Sequence, residues 1–140
     1  MLFLNLPPVP PPKKEGGTKR TVSLVLSGRH GPGTGIGEGY IAFHSIPNIW
    51  YILRKTPEER RREMLADVCR MLRVVAISHE EVVKVIQWKD FKDLEDCLQA
   101  GCAAHVRADY IVTRNTEDFI NSEIPAILPE DFLKKLKSLS

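Results

Sequence analysis

The sequence predicts an α/β fold, built as three layers (α/β/α) around a parallel sheet, and three observations lead there. Short apolar runs rich in β-branched residues recur from residue 38 onward. Segments with helix-start signals and apolar stripes separate them, so strand and helix alternate in the way that parallel sheets require. Several of the apolar runs end in small polar residues, the place where ligands collect in such sheets.

Gly39-Tyr40-Ile41-Ala42-Phe43 reads as the first of these strands, and Ser45 with Pro47 opens a helix through Ile49, Trp50, Ile52 and Leu53. Thr56-Pro57-Glu58-Glu59 starts the next helix with a capping hydroxyl, a first-turn proline and acids at the positive dipole end. Met64, Leu65, Val68, Met71 and Leu72 form its apolar stripe. Val74 to Ile77 is a strand, and Ser78 with Glu81 makes a capping box ahead of Val82, Val83, Val85 and Ile86. A helix begins at Asp93 or its neighbours with Leu94, Cys97, Leu98 and Gly101 turned inward, and a strand at 109–113 follows. Ala126 to Leu128 is a last short strand, and Pro129-Glu130-Asp131 opens a C-terminal helix with Phe132, Leu133 and Leu136 on one face.

Residues 1–37 are a different kind of sequence. Five prolines at 7, 8, 10, 11 and 12 and glycines at 16, 17, 28, 31, 33, 35 and 37 leave little to bury, so a flexible N-terminal segment is expected. Val22 to Leu26 is the exception and reads as a strand. The glycines after it do not form a nucleotide loop, because neither Lys-Ser nor Lys-Thr follows and no apolar helix pattern opens there. Residues 38–140 are read as the folded domain.

Composition narrows the function classes. With 43% hydrophobic and 27% charged residues, the 140-residue chain suits one globular domain rather than a disordered, fibrous or membrane protein. A net charge of +2 does not announce nucleic-acid binding, though it does not oppose a polyanion. Cys69, Cys97 and Cys102 have neither even number nor CxxC spacing, which argues against a disulfide framework or zinc knuckle and for a reducing cytoplasm. The opening apolar residues are few, lack a basic leader and run into prolines, unlike a secretory signal, and no segment is long enough for a membrane span. His44, His79 and His105 share no ligand spacing, and His30 lies in the N-terminal segment.

The chemistry concentrates around the strand at 109–113. Asn115 and Asp118 follow it, and Asp93 and Asp96, three apart, share a helix face near the helix start. Ser45 and Asn48 follow the first strand and Thr113 ends the third. Oxygen donors gathered at strand ends suit a hard divalent cation such as Mg²⁺ or Mn²⁺, the ion type that phosphodiester hydrolysis uses. Each residue also has a plainer use. Asp93 and Asp96 suit a helix start, and Asn115 and Asp118 suit a turn. Arg60, Arg61 and Arg62 suit a solvated face paired with Glu58, Glu59 and Glu63. Trp50 and Tyr51 either stack on bases or belong to the core or a dimer surface.

Several segments taken together, Gly39-Tyr40-Ile41-Ala42, residues 45–55, residues 93–100, Asp109 to Asn115 with Asp118-Phe119, and residues 124–133, resemble the PIN domains, most closely the branch of VapC-like toxin ribonucleases. The resemblance covers roughly residues 38–137 and implies a Mg²⁺- or Mn²⁺-dependent endoribonuclease acting on single-stranded RNA. It also implies a cytoplasmic toxin held by a cognate antitoxin protein, with a homodimer left open and no membrane partner. Carried onto this chain, it makes Asp96, Asp118 and Asn115 catalytic and Asp96, Asp118 and Asp93 metal ligands. Asn48, Ser45 and Thr113 become supporting residues, and Arg54, Lys55 and Arg114 the contacts to nucleic acid. Such domains begin with a central strand ending in Asp-x-Asn, which residues 1–37 do not supply. The first strand is therefore expected to be missing or replaced, with Val22 to Leu26 the candidate for its slot. Arg29 would then follow where an ion needs negative charge. The alternative function is a catalytically deficient PIN remnant that serves as a binding or oligomerisation module.

Overall fold

The computed structural model of the chain describes residues 24–27 and 38–138. Five strands form one sheet in the order β3-β2-β1-β4-β5, where β1 is Leu24–Ser27, β2 Glu38–Ala42, β3 Arg73–Val75, β4 Tyr110–Val112 and β5 Ala126–Ile127. The α/β class expected from alternating strand and helix patterns holds, and the centre of the sheet is where it departs from expectation. β2 pairs with β3, and β4 with β5, in parallel. β1 lies between β2 and β4 and is antiparallel to both. The sheet is thus mixed rather than parallel, and a strand from the N-terminal segment fills the central slot in reverse.

The reversal has a physical reason in chain length. A parallel pair needs a crossover of a dozen or more residues, whereas an antiparallel pair closes with a short connection. Only residues 28–37 join β1 to β2, with Ser27 opposite Glu38. Direction also decides which end of β1 meets the polar strand ends. Leu24 is opposite Ile41 and Val112, close to the carboxyl ends of β2 and β4, so β1 ends beside the amino ends of those two strands. The expected conflict between Arg29 and an ion at the end of this strand falls, with His30 and most of residues 1–37, outside the described residues.

Around the sheet lie α1 (Ser45–Ile52), α2 (Glu58–Met71), α3 (His79–Ile86), α4 (Leu94–His105) and α5 (Pro129–Ser138). The Ser78 half of the α3 capping box forms, with Ser78 Oγ accepting from Glu81 N–H at 3.2 Å, while the Glu81 carboxylate accepts from the Ser78 hydroxyl at 3.3 Å and meets His105. The other starts differ. α1 is preceded by His44 without a side-chain cap and Ser45 is buried; α2 follows Pro57, and the Thr56 hydroxyl does not cap it. The stripe on α2 is half-buried at Met64, Leu65 and Val68, but Met71 is 73% exposed. Leu94 also faces solvent at 54% exposure, while Cys97 and Gly101 turn inward. Of the apolar face expected on α5, Phe132 is partly covered, meeting the Tyr110 ring edge-on, and Leu133 and Leu136 are exposed.

α4 is the helix that organises the core. Ala100 and Ala103 pack with Ala108, Ile111 and Phe119, and Cys102 packs with Ala42 and Val75. Its small residues let the helix approach the strands and α3 closely. At Gly101 an added Cβ would lie 2.8 Å from Val85 Cγ2, closer than packed carbon atoms approach. The far end of α4 is tied to α3 by His105 Nδ1 and Glu81 Oε2 at 2.8 Å. This packing fixes where the first turn of α4, with its acids, sits against the strand ends.

Candidate metal and nucleic-acid site

The site grows from the N-terminus of α4. Asp93 caps it, Oδ1 accepting from Glu95 N–H at 2.7 Å, which satisfies an orphan donor of the first turn and assigns that oxygen its helix-start role. Asp96 lies in the same first turn and is half-buried. Burial first, then the negative charge of Asp118, Asp93 and Glu95, pushes its carboxyl from the ordinary 3.8 up to about 6. The Asp96 carboxylate has no hydrogen-bond donor or cation partner among the described residues. Asp118, although 22 positions later in the chain, is the strongest of the charges acting on Asp96.

The loop after β4 brings Asp118 there. Thr113, buried, accepts the Asn115 N–H on Oγ1 at 3.1 Å, and its own N–H donates to Ile127 O at 3.0 Å. Asn115 then precedes a short 3-10 helix, Thr116–Phe119, in which the Asp118 N–H donates to Asn115 O at 3.1 Å and Phe119 is buried in the core. Thr113 and Phe119 thus clamp the loop at both ends, and Asp118 is left exposed toward solvent.

Two groups not singled out in the sequence complete the surroundings. Glu95 Oε1 accepts from Asn48 Nδ2 at 2.5 Å, which joins α1 to the first turn of α4 beside Asp96. Gln99, one turn after Asp96, is 1% exposed and donates through Nε2 to Ser45 Oγ at 2.8 Å, while its Oε1 is buried without a partner. The position of Gln99 three residues after Asp96, on the same helix face, is the signal that was available for it. Glu95 had none beyond its adjacency to Asp96. His44 stands at the same strand end. Burial lowers its pKa, a hydrogen bond to the Glu95 backbone opposes this, and its Nε2 is buried without a partner.

The structure therefore brings Asp96, Asp118, Asp93, Asn48, Ser45, Thr113 and Asn115 to one end of the sheet. It does not place the expected basic residues alike. Arg114 is ion-paired with Glu130 at 3.0 Å on α5. Arg54 folds back on its own helix end, Nη1 donating to Tyr51 O at 3.2 Å, and Lys55 is exposed. Arg60 and Arg62 pair with Glu63 and Glu58 at 2.9 and 2.8 Å, the solvated-face arrangement. Arg61 lies over the Trp50 ring, 4.0 Å from its centroid, so that indole is covered from this side.

A family model described as PIN domain matches residues 33–117. The chain belongs to the PIN domain family. The match takes in Asp96 and Asn115 and stops one residue before Asp118. Searches of curated proteins and of solved structures returned no match.

PIN domains generally depend on a divalent metal, and the fit of this PIN domain to one can be tested on its own donors. Among the described residues, no three His, Cys, Asp or Glu side chains come together closely enough to enclose an ion. The charge pattern nonetheless fits a hard cation. Among the described residues Asp96 is crowded by acids and unrelieved by a cation, and the polar groups around it are mostly oxygens and amides. Mg²⁺ keeps several waters and needs only one or two carboxylates. Asp96 and Asp118 would hold it, with Asp93 at the margin.

Proposed function

We propose that this PIN domain is a metal-dependent endoribonuclease that hydrolyses phosphodiester bonds of single-stranded RNA, with Mg²⁺ or Mn²⁺ as cofactor. The observation that carries the reading is the half-buried Asp96 carboxyl, held up to about 6 by burial and by Asp118, at the carboxyl ends of parallel strands. A bound divalent cation supplies acidified water and offsets charge growing on the phosphate oxygens. The chain's own residues provide the rest. Asp96 and Asp118 place the negative charge, Thr113 holds the Asn115 backbone so that this loop keeps its shape, and the Ser45–Gln99 bond fixes α4 against the end of β2.

The likeness of residues 45–55, 93–100 and 124–133 to VapC-like proteins supports a cytoplasmic toxin with a cognate antitoxin as partner. Purified protein with a single-stranded RNA, Mn²⁺ and matched EDTA controls tests the reading. Cleavage that requires the ion and is abolished in Asp96→Ala supports it, and cleavage that survives EDTA or the substitution rejects it.

One observation favours a second reading. The central strand runs in reverse, so Leu24 stands opposite Ile41 and Val112 at the site end, where the family has an aspartate. A catalytically deficient PIN remnant that works as a binding or oligomerisation module follows from this, and robust Mg²⁺-dependent turnover by the purified chain would reject it.

A further inference from the structure

One face of α1 starts at the acid site and leads away from it. Asn48, bonded to Glu95, is followed at i+3 and i+4 by Tyr51 and Ile52, both 47% exposed. The rise from Asn48 to Tyr51 is roughly 4.5 Å along the helix. Just past the helix end, the Arg54 guanidinium lies 4.5 Å from the Tyr51 ring centroid, and the exposed Lys55 follows. Neither Arg54 nor Lys55 has a carboxylate partner among the described residues, whereas Arg60, Arg62, Arg70 and Arg114 are all ion-paired.

An exposed ring with a guanidinium set against it, next to an unneutralised ammonium, matches what a flexible polyanion with flat bases offers. Bases stack on rings whatever their sequence, and phosphates follow cations. The Trp50 side of α1 offers less, because that ring is half-buried beneath two guanidiniums, those of Arg61 and Arg62, and Arg62 is ion-paired with Glu58. We propose that Tyr51, Arg54 and Lys55 form a stacking platform for the nucleotide beside the cleaved phosphate, so that the RNA strand leaves the Asp96–Asp118 site along α1. This rests on the ribonuclease reading above and adds the direction in which the strand runs.

The test is binding in EDTA, where no cleavage intervenes, of the full chain to a short fluorescent oligouridylate and to an RNA duplex. Tyr51→Ala is expected to weaken single-strand binding about tenfold, the size of one lost base stack, and Tyr51→Phe to restore it. Lys55→Gln is expected to reduce the salt dependence by about one counterion. Mn²⁺ binding, followed by electron paramagnetic resonance, should be the same in all three variants as in the native chain. Because Tyr51 is exposed the variants should fold, which thermal melting checks, and Arg54→Gln gives an independent loss. If Tyr51→Ala and Arg54→Gln bind the oligonucleotide like the native chain while Asp96→Ala abolishes cleavage, the platform is wrong and the ribonuclease stands. If duplex binds as tightly as single strand through these residues, the platform is also wrong. If the native chain neither binds nor cleaves single-stranded RNA, both proposals fall.

Discussion

Asp96→Asn should make the metal-free protein more stable while removing its function. The folded carboxyl titrates near 6 against an ordinary 3.8, so the ionised form is disfavoured in the fold. The sign follows from proton counts. Between about pH 4 and 6 the folded protein retains a proton that the unfolded chain has released, so stability is lost as pH rises through that window. The undiminished shift would correspond to about 3 kcal/mol at ~1.4 kcal/mol per pH unit. Asp96 is only half-buried and water screens its neighbours, which reduces the expected gain to about 1 kcal/mol. In EDTA at pH 7.5 the asparagine variant should therefore melt on the order of 4 °C higher than the native chain. The gain should shrink as pH falls and vanish by about pH 3, below both the folded and the unfolded values, where the carboxyl is neutral in either state. Adding Mn²⁺ should raise the melting temperature of the native chain and leave the variant unchanged. A variant no more stable than the native protein at pH 7.5, or equally stabilised at pH 4, would refute the crowded-carboxyl argument.

Other substitutions test the supports of the site. Asn48→Asp sets a carboxylate against Glu95 in place of a hydrogen-bond donor and should cost about 1–2 kcal/mol in chemical denaturation in EDTA, partly recovered by Mn²⁺. Ser45→Ala leaves both polar atoms of the buried Gln99 amide unpartnered and should cost about 1–3 kcal/mol by the same measurement. Gly101→Ala forces a methyl to within 2.8 Å of Val85 Cγ2 and should destabilise by about 1–3 kcal/mol, whereas Gly101→Ala combined with Val85→Ala should recover part of that loss.

Much of this fold could be read from the sequence because its elements carry local signals. The Ser78 helix cap, the Asp93 helix start and the run Tyr110-Ile111-Val112 are decided by neighbours in sequence, and they appear where the pattern put them. The direction of β1 is decided by the length of the link to β2 and by which partners have unpaired edges, neither of which is encoded in Leu24–Ser27 itself. Met71 and Leu94 show the limit of apolar stripes. Both continue a helical pattern but fall where no other described element packs over them. At the site, Asp96 and Asp118 were legible as acids near strand ends, whereas the Asn48–Glu95 and Ser45–Gln99 bonds join positions 47 and 54 apart and exist only once α1 meets α4.

Reversing the central strand also bears on how the chain folds. The β1–β2 pair becomes a contact between near neighbours, while β1–β4 still closes a loop from residue 24 to residue 112. Near-neighbour pairing is entropically cheap and fast, and distant pairing is slow. Hydrogen-exchange labelling during refolding should accordingly protect amides of β2 against β1 early and those of β4 late. The ionic end of the molecule, which needs α1, α4 and the loop after β4 together, is then assembled only in the last and slowest step.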